Sequence, residues 1–322
     1  MDGSEASIEK WEDIKSENLL NKKGPKNISQ LDDLVKEILF MHTDWRSMLA
    51  LRNTCDSFRR FIDEKQPIFD LSEVEIDLCD THVQIVCKTH SKKIDRVKFT
   101  KHENGCLVVE QERISLLANA NFLDTFLQGF KFILMQNFAL QKLKIGYRSY
   151  SPDHVAAKFL NELETILKAR KTKLKVNWLS LKTKKKDYHR ILSLVASASL
   201  KRIELDFLDE ESVEQRISEQ WKSAEELIST GFLTRFQTPI DDFLHFSRLE
   251  AHFSEVYLHD LRKMKDTYLK SPNFQEAFIR YENTRRLTGM DVLAGNVRPT
   301  GDSQHVVPNF LFSQSMSLCS RQ

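Results

Sequence analysis

Apolar residues keep a helical period in the first part of the chain and then change to a strand-like one. Leu31, Leu34, Val35, Ile38 and Leu39 recur at helical spacing and predict one helix, with Ser29 placed as its N-cap. His42-Thr43-Asp44 interrupts the pattern, and Asp44 can cap a second helix carrying Trp45, Met48 and Leu49. In MLALRNTCDSFRRFI, residues 48–62, the positions Leu51, Cys55, Phe58 and Ile62 share one face, with Phe61 beside them. Arg52, Asp56, Arg59 and Arg60 take the other face, which predicts a third helix. Pro67 ends this region.

From residue 68 the period shortens. Phe69, Leu71, Val74, Ile76 and Leu78 predict extended chain, as do 83–87, 94–99 and 107–109, with Asn104-Gly105 as a turn. Helical patterns return over 117–136 and 152–170, and a further helix is expected over 185–197. Between and after them lie short Leu/Ile runs at 140–145, 174–181 and 200–207. Residues 211–230 read as helical, anchored by Trp221 and Leu227, with Trp221 in the core. Residues 240–282 read as a mixed segment ending in a helix (LHDLRKMKDTYLKS) and a strand (FQEAFIRY). The alternation predicts βα units stacked side by side, as an irregular leucine-rich-repeat-like arc. The expected organisation is a disordered 1–24, a helical unit over 25–67, an α/β domain over 68–288 and a mobile tail over 289–322. In class terms this is an α+β chain.

Composition narrows the function. The chain has 322 residues, 41% hydrophobic and 29% charged, with a net charge of +2. Such a balance does not favour nucleic acid or a membrane surface. Nine glycines and seven prolines are few, and no glycine-rich phosphate loop or nucleophile elbow is visible. The five cysteines, Cys55, Cys79, Cys87, Cys106 and Cys319, are odd in number and form no C-x-x-C, so they read as reduced thiols of a cytoplasmic or nuclear protein. The acidic first residues lack an apolar signal segment, and no run approaches 18 apolar residues. The sequon Asn27-Ile28-Ser29 is then expected to stay unread. The last four residues, Cys319-Ser320-Arg321-Gln322, outline a prenylation box but lack its aliphatic middle, and read as a polar tail.

Charge is segregated. Residues 168–186 hold nine basic and no acidic side chains, whereas 204–226 hold nine acidic and two basic. The basic run would suit phosphate, yet Trp178 is the only aromatic residue inside it, so nucleic-acid binding stays the lesser reading. His245, His252 and His259 are seven residues apart; on one helix each pair would be about 10 Å apart, too far to share a metal. Cys79 and Cys87 with His82 and His90 repeat C-x-x-H, but Cys87 falls on the apolar row of a strand, which speaks against zinc. The pairs Asp32-Asp33 and Asp241-Asp242 lie at helix starts, where the dipole favours carboxylates without catalysis. The sequence gives no positive sign of an enzyme, a cofactor or a metal.

One stretch carries a resemblance. Met48-Leu49-Ala50-Leu51-Arg52-Asn53-Thr54-Cys55, followed by Ser57-Phe58-Arg59, resembles the core of an F-box, and Glu37-Ile38-Leu39 resembles its first helix. Further pieces resemble the FTH domain that follows the F-box in a nematode family: 103–108, 179–182, 200–204, 219–224, 243–246 and 269–274. The resemblance implies a three-helix hook that docks on the Skp adaptor of a cullin-RING ubiquitin ligase, and an FTH domain that holds an unidentified target protein. On that reading Leu31, Leu34, Ile38, Leu39, Met48, Leu49, Leu51, Arg52, Cys55 and Phe58 form the adaptor-binding set, divided between the hook's core and its contact. Where the family has Leu-Pro, this chain has Gln30-Leu31 or, in another register, Leu31-Asp32, without the proline. Two alternatives follow: a helical cap packed only on its own second domain, and an interaction scaffold uncoupled from the ligase.

Overall fold

A computed structural model describes residues 31–41, 43–65, 70–135, 139–148, 153–208, 218–230, 240–255, 257–283 and 309–313. The expectations for 1–24, Ser29, 289–308 and 314–322 lie outside these residues, whereas 309–313, expected as part of a mobile tail, forms a strand. The chain divides into two compact units, Met1–Ile68 and Phe69–Gln322.

The first unit holds α1 (Asp33–Met41), α2 (Trp45–Thr54) and α3 (Asp56–Lys65). Asp44 caps α2, its carboxylate accepting from the amides of Arg46 and Ser47 at 3.1 and 3.0 Å. Leu51 and Cys55 do not share the third helix, as the 3–4 spacing suggested: Leu51 still belongs to α2. The backbone straightens at Cys55 (φ −158, ψ 160), and Asp56 begins α3. A Phe40–Phe58–Phe61 cluster, with ring centroids 5.4–5.9 Å from Phe40, fills the interior together with Met48 and Ile62. Arg52 and Asp63 join α2 to α3 through two bonds of 2.7 and 2.9 Å.

The second unit is a twelve-stranded sheet of order β12-β11-β10-β9-β8-β7-β6-β1-β2-β3-β4-β5. β1 (Glu73–Leu78), β2 (His82–Lys88), β3 (Ile94–His102), β4 (Gly105–Glu110) and β5 (Arg113–Ala118) form an antiparallel meander. Then β6 (Ala139–Tyr147) returns to the other side of β1, parallel to it. β7 (Lys175–Thr183), β8 (Arg202–Phe207), β9 (Glu226–Ser229), β10 (Arg248–Glu255) and β11 (Glu276–Asn283) follow in sequence, each parallel to its predecessor, and β12 (Asn309–Ser313) closes antiparallel. The connections carry α4 (Phe122–Met135), α5 (Asp153–Lys168), α6 (Lys185–Ser193), α7 (Glu219–Ser223) and α8 (Leu258–Lys270). Right-handed crossovers stepping always the same way lay their helices on one face.

The physical basis of the stacking is a repeated apolar pattern, L-x-x-L-x-L. Its first position is Leu71, Leu140, Val176, Leu200, Ala224, Phe246 and Phe274. Its fourth is Val74, Leu143, Leu179, Ile203, Leu227, Leu249 and Ala277. All fourteen are buried. The interval of three between them would break strand alternation, and a bulge resolves it. At four of the six steps one carbonyl receives two successive amides of the next strand: Ser72 O from Gln141 and Lys142, Lys201 O from Glu225 and Glu226, Glu225 O from Ser247 and Arg248, and Ser247 O from Gln275 and Glu276. From Val176 onward the pattern recurs at 22–28 residues, the spacing of a leucine-rich repeat.

Several expectations change. β5 was not anticipated: all six of its residues are exposed, so burial imposes no alternation on its sequence. It takes up Leu117 and Ala118, and the following helix starts at Phe122, where Asn121 Oδ1 accepts from the amides of Leu123 and Asp124. Among the described residues of 211–230, namely 218–230, only 219–223 is helical, and Leu227 lies in β9 rather than on a helix. Trp221 is core, donating from Nε1 to Asp242 O at 2.9 Å. Gly105 has φ +142, and a Cβ there would meet Leu117 O at 2.1 Å, so the tight approach of β4 to β5 requires glycine.

Candidate functional site

In each parallel strand the residues between the buried positions point away from the helices. The strand register aligns them into rows. The third positions form Glu73–Lys142–Trp178–Arg202–Glu226–Arg248–Glu276, and the fifth positions form Glu75–Lys144–Ser180–Glu204–Ile228–Glu250–Phe278. One long polar face thus spans seven strands.

Ion pairs cross these rows. Lys88 holds Glu73 at 2.7 Å and Glu75 at 3.1 Å, Arg148 holds Asp77 at 2.6 Å, and Lys182 holds Asp206 at 2.6 Å. Arg202 faces Glu226 at 3.4 Å, Arg248 holds Glu276 at 2.5 Å, and Arg280 reaches Glu250 at 3.2 Å. Hydrogen bonds to Glu73 and Glu75 raise the Lys88 ammonium above its ordinary pKa, and Glu276 does the same for Arg248. Trp178 sits centrally. Its Nε1 donates to Glu204 at 3.1 Å, and its ring carries Lys142 at 3.6 Å and Arg202 at 4.1 Å. Farther along, Arg202, Ile228, Arg248, Leu249, Glu250, Glu276 and Phe278 line a hollow of about 360 Å³.

In the first unit the proposed adaptor-binding residues separate. Met48 and Phe58 are 0% exposed and lie inside the unit. Leu31, Leu39, Leu49, Leu51 and Cys55 are half-buried, and Arg52 is engaged by Asp63. Leu34 and Ile38 are 64% and 42% exposed and form, with Val35, an uncovered apolar face of α1. Phe40, which the spacing did not single out, is the buried apolar residue of α1, and Lys36 is buried too.

The histidine and cysteine candidates are scattered. His245 lies in a turn, its Nε2 3.0 Å from Trp221 O, His252 is in β10, and His259 begins α8, so the three do not share one helix. Cys79 Sγ lies 2.8 Å from His82 Nδ1, while His90 pairs with Asp70 at 2.8 Å and Cys87 lies buried on β2. Among the described residues no group of His, Cys, Asp and Glu could hold a metal ion, and no helix is long and apolar enough to cross a membrane. The basic run is spread over the end of α5, a loop, β7 and the start of α6, with Lys168 and Arg190 both on Glu164 and Lys182 on Asp206.

Stacked parallel βα units with an ordered polar ladder define a repeat-type α/β scaffold. Residues 157–293 match the FTH domain family. The chain is 22% identical over 274 residues to F-box A protein 224 of Caenorhabditis elegans, covering 81% of this chain and 68% of that protein. No solved structure matches it significantly. The chain is thus similar to an FTH domain over 157–293 and, across most of its length, to an F-box A protein.

Proposed function

We propose that this chain is a non-enzymatic target-recognition adaptor of an SCF-type ubiquitin ligase. α1–α3 would act as the F-box that docks on the Skp adaptor, which links to cullin, and the FTH-containing unit would hold a target protein. The observation that carries the reading is the uncovered apolar face Leu34–Val35–Ile38, set on a three-helix unit ahead of an FTH domain. About forty residues bury too little to be stable with such a face left in water, and an adaptor groove would cover it. The contribution to catalysis is proximity: the target's lysines are held at high effective concentration near the charged enzyme.

A pull-down of the full chain with purified Skp adaptor tests this. Capture by wild type, lost in Leu34→Asp/Ile38→Asp, supports the reading; failure of wild type to bind refutes it. The absent proline at Gln30-Leu31 favours a second reading, in which the same fold binds a partner without ligase coupling. Affinity purification that returns a partner but neither adaptor nor cullin would select it.

A further inference from the structure

β5 is the last strand of the sheet and pairs on one side only, with β4. Their register runs unbroken from Glu110 opposite Arg113 to Gly105 opposite Ala118, and Asn119 N donates to Asn104 O just beyond it. Bonded residues alternate in an antiparallel pair. Arg113, Ser115 and Leu117 therefore bond to β4, and the N–H and C=O groups of Ile114, Leu116 and Ala118 point outward. No backbone group among the described residues meets them. Edge strands are usually shielded by lysine, proline, a bulge or a covering helix. β5 reads RISLLA and has none of these, since α4 lies behind β2, β3 and β4. Ile114, Leu116 and Leu117 are 69%, 48% and 42% exposed. The rows Asp77–Gln84–Lys98–Val109–Ile114 and His82–Thr100–Leu107–Leu116 run from polar to apolar toward this edge.

We infer that β5 pairs with β5 of a second copy of this chain, antiparallel about a two-fold axis at Leu116, so that two sheets join edge to edge. In this register Leu116 faces the partner's Leu116 and Ile114 faces the partner's Ala118, and every outward N–H and C=O of 114–118 finds its mate. Leu107 and Val109, which lie beside Leu116 and Ile114 on β4, extend the joined side chains into one apolar surface. On the other side Ser115 faces the partner's Leu117 and Arg113 the partner's Asn119, so no charge is set opposite a like charge. The strand is thus its own complement, which selects a second copy over an unrelated strand. Pairing over 114–118 is small beside the ~1,200 Å² of a standard interface, so the dimer is reversible, with a Kd of about 10–100 µM. The pairing goes beyond the adaptor reading and does not depend on it.

The test is sedimentation velocity of the full chain from about 2 to about 200 µM. Wild type is expected to move from the 37.7 kDa monomer toward twice that mass as concentration rises. Leu116→Lys and Leu116→Pro should both stay monomeric over the same range. Because the Leu116 N–H points outward, proline there removes no bond to β4. Leu116→Lys, at an exposed position, should keep the wild-type melting curve. The register is read by cross-linking with copper phenanthroline. Leu116→Cys should form a covalent dimer, because the axis sets its Cα about 5.5 Å from its mate. Ile114→Cys, whose mate lies about 14 Å along the strand, should cross-link no more than wild type, whose own cysteines set the background. A wild type that stays monomeric, whether or not it binds an added apolar strand peptide, overturns the proposal. So does a dimer that persists in both Leu116 variants, or equal cross-linking at 114 and 116.

Discussion

Met48 and Leu34 share a role by resemblance but sit in opposite environments, and this contrast can be measured. Met48 is 0% exposed among Phe40, Phe58 and Ile62, whereas Leu34 is 64% exposed. Met48→Ala removes a buried side chain and leaves a cavity, a loss of about 2–5 kcal/mol. A helical unit of about forty residues has only a few kcal/mol in hand. The substitution should therefore unfold α1–α3 while the sheet, a separate compact unit, remains. Leu34→Ala removes little buried area and should change stability by about 0.5 kcal/mol or less. If Leu34 is a central contact, the same substitution should cost about 2 kcal/mol of adaptor affinity, roughly thirtyfold. Hydrogen exchange of the full chain read by mass spectrometry separates the two effects. Met48→Ala should deprotect 33–65 and leave 139–147 and 175–183 protected. Leu34→Ala should leave all of these as in wild type and lose adaptor capture. Equal exchange in the two variants, or a protected α1–α3 in Met48→Ala, would refute the division of the unit into core and contact.

Tyr268 is buried and donates to Phe243 O at 2.9 Å, so Tyr268→Phe, which keeps the stack on Phe274, should cost about 1–2 kcal/mol by denaturant titration. Gly105→Ala should lower the melting temperature by several degrees, because the new Cβ overlaps Leu117 O in a left-handed backbone; an unchanged melting curve would contradict that geometry. Burial depresses the pKa of both His245 and His82, and for His82 Lys98 and Arg148 add repulsion. A folded-state pKa below the unfolded one means that the unfolded chain takes up protons first. Stability is then full above about pH 6.5 and lost as pH falls below it. Melting temperatures at falling pH should show this decline, and His245→Gln should make it shallower.

Local sequence determined the type of most elements. The apolar rows of α1–α3, the Asp44 cap, the Leu/Ile runs of β6, β7 and β8, and the helix LHDLRKMKDTYLKS ahead of β11 are written as periods of 3.6 and 2, because each element buries one face. Where that coupling is absent the reading failed. β5 is exposed on both sides and has no alternation to show. The break at Cys55 keeps the apolar spacing on both sides of it, so a period alone could not reveal two helices. Residues 219–229 change from helix to strand within a few positions, shorter than any window that defines a period.

The polar face was a different matter. Trp178 was visible only as an aromatic residue in a basic run, and its partners Lys142, Arg202 and Glu204 come from three strands. The charged third position of six of the seven L-x-x-L runs was the one local sign of the rows. By itself the sequence determined that the strands are amphipathic and that charges take their outer side. Only the tertiary structure decided which charge faces which. Pairing across strands depends on register, and register is set by the doubly bonded carbonyls of Ser72, Lys201, Glu225 and Ser247 and by helices packing behind the sheet. Those are contacts between residues far apart along the chain, and no local pattern encodes them.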